Sequence, residues 1–506
     1  MKMNKLFSAS LAILLGWSGT ALAQNGEDAL RYTRLGLQGS ARIQGIGGAQ
    51  TALGADISTI SVNPAGLGMF RRSEANLSLG FTNNSTNSLF MGRNTPDERS
   101  TINIPQAGVV FSNRKDDSES SDWRGSTFGI SMSRINNFNN RTTYNGVTSE
   151  TAPGIVEYIY EQALADGVTV DDLADEFNNG YFTLPGLAYG TYLFDELEDD
   201  QGAYYLPVDR FGALNIQEEL VRRGSQSQFD FAFGTSFRDK IYLGASLGIV
   251  NSKFTQERIY RETESDTDSD FESLELRDQF TTEGAGVNLK LGVIVRPIDA
   301  LRFGLSVQTP TAYTFTETYD RSMYSTFNGT AGRENYSAIE MPGEFSYQLT
   351  TPFRANTGVA VFVGKYGFIT ADAEYVDYSS MRFKEDDENS NFSGYFSGVN
   401  SSINDTYKSA MNYRVGAEGR YEVFRLRAGY AISGSPYKNS SFDAKVNTFT
   451  LGAGVRLQNY YADIAYARSN GNSRYSPYTF EDASQDPVVD MENKQSNVMF
   501  TVGLNF

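Results

Sequence analysis

The stretch QFDFAFGTSFRDKIYLGASLGI, residues 228–249, alternates apolar with small or polar side chains on both sides of a short connection. One face of its first half carries Phe229, Phe231, Phe233, Thr235 and Phe237, and one face of its second half carries Ile241, Leu243, Ala245, Leu247 and Ile249. A period of two residues is the pattern of a β-strand, whose side chains point alternately to opposite faces. The connection at 238–240 therefore predicts a hairpin with one apolar face suited to lipid.

The same alternation recurs along the chain. Further segments lie at 74–83, 100–112, 126–135, 287–295, 301–307, 345–363, 366–380, 408–420, 423–433, 445–458, 459–469 and 494–506. Together they predict about fourteen antiparallel strands, an even number, as single-chain bacterial barrels require. Tight turns near 239, 298, 365, 422 and 459 interleave with long polar connections at 84–99, 136–226, 252–275, 313–342, 381–407, 434–444 and 470–493. Short periplasmic turns and long external loops have this rhythm, so we predict an all-β transmembrane barrel in a Gram-negative outer membrane.

The last strand and the aromatic residues at strand ends are further features typical of a membrane barrel. The last strand places Val498, Phe500, Val502, Leu504 and the terminal Phe506 on one face. This ending resembles the signature by which the barrel assembly machinery recognises its substrates, whereas an ordinary exposed edge of this kind would favour aggregation. Aromatic residues that suit interfacial girdles are Phe81, Phe111, Phe237, Tyr242, Tyr366, Phe424 and Tyr460.

The first residues predict export. Lys2 and Lys5 precede an apolar run at 6–17 and the small-residue cleavage site Ala21-Leu22-Ala23, so the mature chain is expected to begin at Gln24. A membrane anchor is the alternative, but a helix needs about 20 apolar residues to span a bilayer. The predicted organisation is a signal peptide at 1–23, a luminal hatch at 24–73 and a barrel at 74–506, whose longest external loop is 136–226.

Composition excludes several classes of function. The chain has no histidine, which removes the usual base of serine and cysteine nucleophiles and the commonest metal ligand. It also has no cysteine, so the exported chain has to hold together without disulfides. Its net charge of -18 disfavours a nucleic-acid partner. We expect no enzyme, no cofactor and no metal site. The acidic runs, such as 262–270 and 385–388, are interpreted as solvated loops, with cation binding as the alternative.

Residues 24–73 do not alternate. The segment is rich in glycine from Gly45 to Gly48, Asp56 is able to cap a short helix, and Asn63-Pro64 predicts a turn. A dinucleotide loop does not fit, because no strand precedes the glycines. A compact plug inside the barrel fits the pattern, and glycines at Gly244, Gly248, Gly452 and Gly454 would leave space for it.

Several motifs carry a resemblance to a known family. They are Gly47-Gly48-Ala49, Asn63-Pro64-Ala65-Gly66-Leu67, 284–289 through Arg296-Pro297, 304–310, Asp377-Tyr378-Ser379-Ser380 and 413–418. The chain resembles the outer-membrane long-chain fatty-acid and hydrocarbon transporters of the FadL/TodX type. The resemblance implies a fourteen-stranded barrel, a hatch, ligand capture in the third and fourth external loops, and lateral exit through the wall. It places Asn63, Pro64 and Ala65 on the ligand pathway; the alternative is a turn needed only to fold the plug.

The third external loop contains candidates for ligand capture. A helical piece is predicted from Ile155 to Phe177, and an apolar stretch follows with Phe182, Leu184, Leu187 and Tyr189. A capture groove needs these side chains exposed in a concave site. The alternative is that they pack a small core of the loop itself.

The predicted function is passive, ligand-gated passage of hydrophobic small molecules, either long-chain fatty acids or aromatic hydrocarbons. The expected partners are this ligand, outer-membrane lipid and lipopolysaccharide, and the barrel assembly machinery. We expect charges such as Lys290, Asp372, Glu374, Arg414, Glu418 and Arg456 to hold hatch and strands together, since buried charges need partners. The main alternative is an accessory barrel that binds or shuttles secreted proteins. An enzyme barrel and a non-specific porin are further alternatives, disfavoured by the missing histidine and the plug.

Overall fold

The computed structural model describes residues 26–506, apart from 117, 201, 267, 330–331, 386–394 and 440–441. The predicted signal peptide and its cleavage site lie outside the described residues. Within the described part of the chain, no helix is long and apolar enough to cross a membrane.

The strands follow one another in antiparallel order. They are β1 Glu74–Phe90, β2 Arg93–Arg114, β3 Trp123–Asn137, β4 Asn140–Val147, β5 Phe194–Asp199, β6 Gly202–Pro207, β7 Leu214–Phe237, β8 Ile241–Glu264, β9 Phe271–Ile298, β10 Leu301–Gln308, β11 Ala312–Gly329, β12 Gly332–Ile339, β13 Gly343–Thr350, β14 Arg354–Val363, β15 Gly367–Asp377, β16 Arg382–Glu385, β17 Ser409–Tyr421, β18 Phe424–Ser433, β19 Val446–Arg456, β20 Tyr460–Tyr475 and β21 Val489–Asn505. β21 pairs with β1, so the sheet closes on itself.

Four wall strands are each divided into two segments. When each such pair is counted as one strand, and β5, β6 and β12 are left out, the wall has fourteen strands, as predicted. The interrupted strands are β3 with β4, β10 with β11, β13 with β14, and β15 with β16. Pro310 and Pro352 lie at two of the interruptions. Proline has no N–H to donate to a ladder, which is why it marks breaks in a sheet. β5 and β6 form a separate hairpin, and β12 pairs with the outer half of β11.

The predicted hairpin at 228–249 is confirmed. Phe229 pairs with Ile249 and Phe237 with Ile241, which puts both apolar rows on the outside of the barrel. Every wall strand contributes to this outer apolar belt, represented by Phe81, Ile102, Phe128, Phe231, Leu247, Leu289, Leu305, Val361, Ile369, Val415, Leu426, Leu451, Ile464 and Phe500. A continuous exposed belt of this kind is the lipid-facing surface of an outer-membrane barrel.

The girdle prediction is wrong for one residue. Tyr366, Phe424 and Tyr460 are exposed outside the barrel at the short turns. Tyr242 instead points inward and packs against Ala65, because even-numbered positions of β8 face the lumen.

Much of the predicted loops 84–99, 252–275 and 313–342 is also strand in the structure. β1 and β2 continue as a ladder through 84–99 to a turn at Met91-Gly92, and β8, β9 and β11 continue through much of 252–275 and 313–342. Outside the membrane neither face of a strand needs to be apolar, so the alternation ends while the backbone hydrogen bonds continue. The alternation of apolar and polar residues therefore marks only the membrane-spanning part of each strand.

The longest external connection folds into a cap over the barrel. It holds three helices, α3 Ile155–Ala165, α4 Val170–Asn179 and α5 Leu184–Gly190, beside the β5–β6 hairpin. The helix predicted from Ile155 to Phe177 is divided at Gly167, whose φ of 72° ends α3. The cap has its own apolar core, which includes Ile159 and Leu187.

Glu262 joins the cap to the barrel outside the membrane-spanning part of β8. Its carboxylate accepts hydrogen bonds from Ile155 N at 2.8 Å, at the start of α3, and from the Tyr260 hydroxyl at 2.6 Å. Burial raises the pKa of Glu262 from 4.5 to about 7, although Arg210 acts in the opposite direction. The folded protein thus binds this proton more tightly than the unfolded chain does.

The cap should therefore be less stable at pH 8 than at pH 5. For an acid whose folded pKa is raised, the stabilisation is complete below pH 4.5 and is lost as the pH rises through 7. We expect a loss of roughly 3 kcal/mol in the free energy of opening of α3, measured by hydrogen exchange corrected for intrinsic rates. Glu262→Gln should abolish the difference, and Glu198→Gln on the exposed hairpin should keep it. An equal pH effect in Glu262→Gln would contradict this assignment.

Candidate ligand pathway

The N-terminal segment, residues 26–73, lies inside the barrel and is here called the hatch. It contains α1 Gly26–Thr33, α2 Ala41–Gln44 and two 3-10 helices, Ile57–Ser61 and Pro64–Met69. Ser40 and Asp56 cap the second and third of these elements, and their side chains are hydrogen-bonded to each other at 3.0 Å. Together with Asn63, which caps the fourth element, these side chains satisfy free N–H groups at the starts of three of the short helices.

The predicted pathway residues Asn63, Pro64 and Ala65 are fully packed against the barrel wall. Asn63 Oδ1 accepts a hydrogen bond from Ala65 N at 3.1 Å, and its Nδ2 donates to Thr51 O at 2.7 Å. A Cβ at Gly292 of β9 would lie 1.9 Å from Asn63 Oδ1. Among the described residues these three line none of the principal cavities, so their role on the pathway stays a prediction.

Glycines on the luminal face let the hatch backbone touch the wall. A Cβ at Gly244 would lie 2.3 Å from the Pro64 carbonyl carbon, and one at Gly416 would lie 2.3 Å from Ile46 O. Of the four predicted glycines, Gly244 and Gly452 make room for the hatch. The other two, Gly248 and Gly454, make room for luminal side chains instead. Any larger residue at a contact position would push the hatch away from the wall.

Buried charges tie the hatch to the wall. Asp372 Oδ2 accepts from Gln50 N at 2.7 Å, from Thr51 N at 2.8 Å and from the Thr51 hydroxyl at 2.7 Å. Glu418 lies between Arg42 of the hatch, at 3.7 Å, and Arg427 of β18, at 2.7 Å. The remaining predicted charges are also paired, Lys290 with Asp230 at 2.9 Å, Glu374 with Arg414 at 2.6 Å and Arg456 with Asp463 at 2.8 Å. The prediction that these charges hold the hatch and the strands together is confirmed.

A cavity of about 600 Å³ lies between the hatch and the cap. Its size is in the range of sites for drug-sized ligands. Its aromatic lining consists of Tyr158, Phe280, Tyr319, Tyr407, Tyr437, Phe442, Tyr475 and Tyr478, and α1 forms part of its floor. The sequence did not indicate these residues, because they come from six separate segments outside the alternating regions.

Five arginines line the same cavity, and four of them have carboxylate partners. Arg258 lies 3.0 Å from Asp278, Arg474 lies 2.8 Å from Asp490, and Arg31 and Arg321 pair with Asp28 and Asp278. Within the described part of the chain, Arg222 alone of the five has no carboxylate in ion-pair distance. Its Nε donates to Gln256 Oε1 at 2.8 Å, and the residue lines both this cavity and the next one.

Two further cavities continue from this one toward the wall. One of about 330 Å³ shares Arg222 and Tyr437 with it, and one of about 370 Å³ shares Asn136 and Asn140 with the second. The third is lined mainly by amides and hydroxyls, including Asn84 and Asn493. The row of cavities thus changes from aromatic under the cap to polar beside the wall.

The wall is interrupted beside the third cavity. The β2–β3 ladder ends at the pair Gln106 and Ser133, and beyond that point β4 pairs with β7 alone. Gly36 of the hatch takes the place of β2, because its N–H donates to Ile135 O at 3.1 Å. A crevice of about 80 Å³ lined by Asn103, Pro105 and Arg134 lies at this opening. Pro105, which cannot donate to a ladder, is the one sequence signal that could have indicated it.

The predicted capture residues lie in the core of the cap. Leu187 is completely buried, while Phe182, Leu184 and Tyr189 are partly buried and pack against the same cluster. The Tyr189 hydroxyl donates to Glu196 at 2.8 Å. The structure does not bring these four residues to the aromatic cavity, so their role in capture stays a prediction.

No protein-family model and no curated protein sequence matches the chain. Among solved structures, the fold is similar to that of a Pseudomonas aeruginosa FadL homologue, with 12% identity over 94% of this chain and 99% of that one, and a TM-score of 0.54. It is also similar to the P. putida toluene transporter TodX, with 12% identity over 93% and 99%, and a TM-score of 0.52. The resemblance to the FadL/TodX type is thereby confirmed at the level of the fold.

Enlarging a wall glycine under the hatch should make the barrel leak. Gly416→Val places carbon against Ile46 O, whereas Gly419→Val on the same strand meets nothing within 4 Å. We expect steady ion conductance in planar bilayers for Gly416→Val, and the low conductance of the parent protein for Gly419→Val. Equal conductance in both variants would contradict the wall contact as the seal.

Proposed function

We propose that this FadL/TodX-like barrel passes hydrophobic small molecules across the outer membrane by ligand-gated passive diffusion. The aromatic cavity is the binding site, the hatch is the gate, and the opening between β2 and β3 is the exit. The observation that carries the proposal is the row of cavities that joins the space under the cap to an interruption of the wall. Such a route lets an apolar molecule reach the membrane without crossing an open water channel.

The cavity supports one of the two predicted ligand classes more than the other. Eight aromatic rings provide apolar contact, which suits both a long-chain fatty acid and an aromatic hydrocarbon. Arg222 has no carboxylate within ion-pair distance among the described residues. Burial and the nearby Arg31 lower the pKa of its guanidinium, although Glu27 and Glu218 act in the opposite direction. A ligand carboxylate would supply the missing anion, because arginine binds carboxylates in a bidentate way. We therefore propose a long-chain fatty acid or a similar carboxylated amphiphile.

Gating follows from the position of α1. Arg31 and Asp28 of α1 line the cavity, and the carbonyl oxygens of Arg31 and Arg34 accept hydrogen bonds from Asn136 at 3.0 and 3.2 Å, beside the wall opening. A ligand that moves α1 would thus act directly on the segment that occupies the opening. The passage needs no bond to be made or broken, in keeping with a transporter.

The ligand class is tested by comparing an acid with its alcohol. Oleate and oleyl alcohol share the same chain, so a contact to the carboxylate affects the first alone. We expect Arg222→Gln to weaken oleate binding roughly tenfold and to leave oleyl alcohol unchanged, measured by equilibrium dialysis in detergent. Arg222→Lys should restore part of the oleate affinity.

Two outcomes would contradict this proposal. Tight binding of toluene with no binding of oleate would replace the ligand class by aromatic hydrocarbons. Unchanged uptake of every hydrophobic compound in a deletion strain, with exported proteins recovered on the purified barrel, would favour the secretion accessory instead.

A further inference from the structure

Arg134 occupies an unusual position in the wall opening. It is the first outward-facing residue of β3 beyond Met132, and it lies opposite Ser227 of β7, next to the end of the apolar belt at Phe229. Its side chain lines the crevice with Asn103 and is partly buried. The outward alternation of β3 thus places a guanidinium at the membrane face of the opening.

The guanidinium of Arg134 has no anionic partner in the part of the chain that the structure describes. Among the described residues, no carboxylate lies within ion-pair distance, and its Nε is shielded from solvent without a hydrogen-bond acceptor. A cation at the edge of the hydrocarbon is costly unless it meets water or an anion. Water or an anion from outside the protein therefore has to solvate or neutralise the Arg134 guanidinium.

The neighbouring charges do not fill that role. The carboxylates on this face serve other cations, Asp97 and Glu219 with Arg141, at 3.6 and 3.0 Å, Glu257 with Arg223, and Glu283 with Lys253. Arg99, further out on the unpaired edge of β2, also has no ion pair within the described residues. Burial and the proximity of Arg223 hold the pKa of Arg99 below its usual value. Arg99 shares a face of β2 with Asn103, which lines the crevice together with Arg134.

The depth of the site identifies the kind of anion. Ile102 and Ile104 of β2 are 81% and 43% exposed beside the opening, which marks the outer end of the hydrocarbon layer there. Just beyond that layer lie the headgroups of the outer leaflet, whose lipopolysaccharide carries phosphates. Guanidinium and phosphate form short, bidentate hydrogen bonds.

We propose that Arg134, with Arg99 beyond it, binds a phosphate of lipopolysaccharide at the mouth of the wall opening. This site is separate from the ligand cavity and does not depend on which molecule the barrel carries. The bound phosphate lies at the outer rim of the opening, where β2 and β3 separate.

The site is tested with lipid A added to the full-length barrel in phosphatidylcholine nanodiscs, with bound lipid counted by native mass spectrometry. We expect Arg134→Gln to bind lipid A roughly tenfold more weakly, Arg99→Gln to show a smaller loss, and Arg134→Lys to retain most of the binding. Arg468→Gln is the matched control, because Arg468 is likewise the first outward residue beyond Tyr466 of β20, away from the opening. It should bind as the parent does.

Three results would overturn the proposal. They are equal binding by Arg134→Gln and Arg468→Gln, equal binding of lipid A from which the phosphates have been removed, and displacement of lipid A by inorganic phosphate at similar concentrations. The last result would assign the site to a soluble anion. Heat-dependent gel mobility of each variant shows that the barrel is folded, and binding by Arg134→Lys separates loss of charge from loss of structure.

Discussion

Closure of the sheet is the constraint on which the rest of this structure depends. In hydrocarbon, each unpaired backbone N–H or C=O costs several kcal/mol, so a spanning sheet has to pair its last strand with its first. The pairing of β21 with β1, from Asn505 and Glu74 to Asp490 and Leu89, meets this requirement. Because the closed sheet makes all these backbone hydrogen bonds itself, the side chains are not needed for them. The outward side chains can then be apolar, and the inward side chains can contact the hatch.

The interior follows from the same geometry. A closed wall encloses a fixed space, and the hatch fits it because glycines such as Gly416 remove side chains where backbones touch. Polar contacts then fix its position, above all Asp372 on the peptide N–H groups of Gln50 and Thr51. Between β2 and β3, beyond the last ladder pair of Gln106 and Ser133, the hatch itself supplies Gly36 N–H to the wall. The opening is therefore built jointly by wall and hatch.

The sequence was most informative where the membrane constrains each side chain. The alternation at 228–249 gave the correct hairpin and register, and the count of such segments gave the correct number of wall strands. Tyr242 was misassigned because the girdle prediction used only its position at a strand end, whereas the alternation places it on the face opposite Ile241 and Leu243. The cavity could not be predicted, since residues such as Tyr158, Tyr407 and Tyr478 come together only through the cap, where no periodic pattern applies. The sequence could not single out Arg222 and Arg134 either, because only the three-dimensional structure shows that neither has a carboxylate within ion-pair distance among the described residues.

The closed barrel is tested most directly by the mobility of the purified, detergent-solubilised protein on gels run with and without boiling. A sealed hydrogen-bonded cylinder resists the detergent until it is heated, so the unboiled protein should migrate as a compact species and shift on boiling. Identical mobility in both samples would contradict the account.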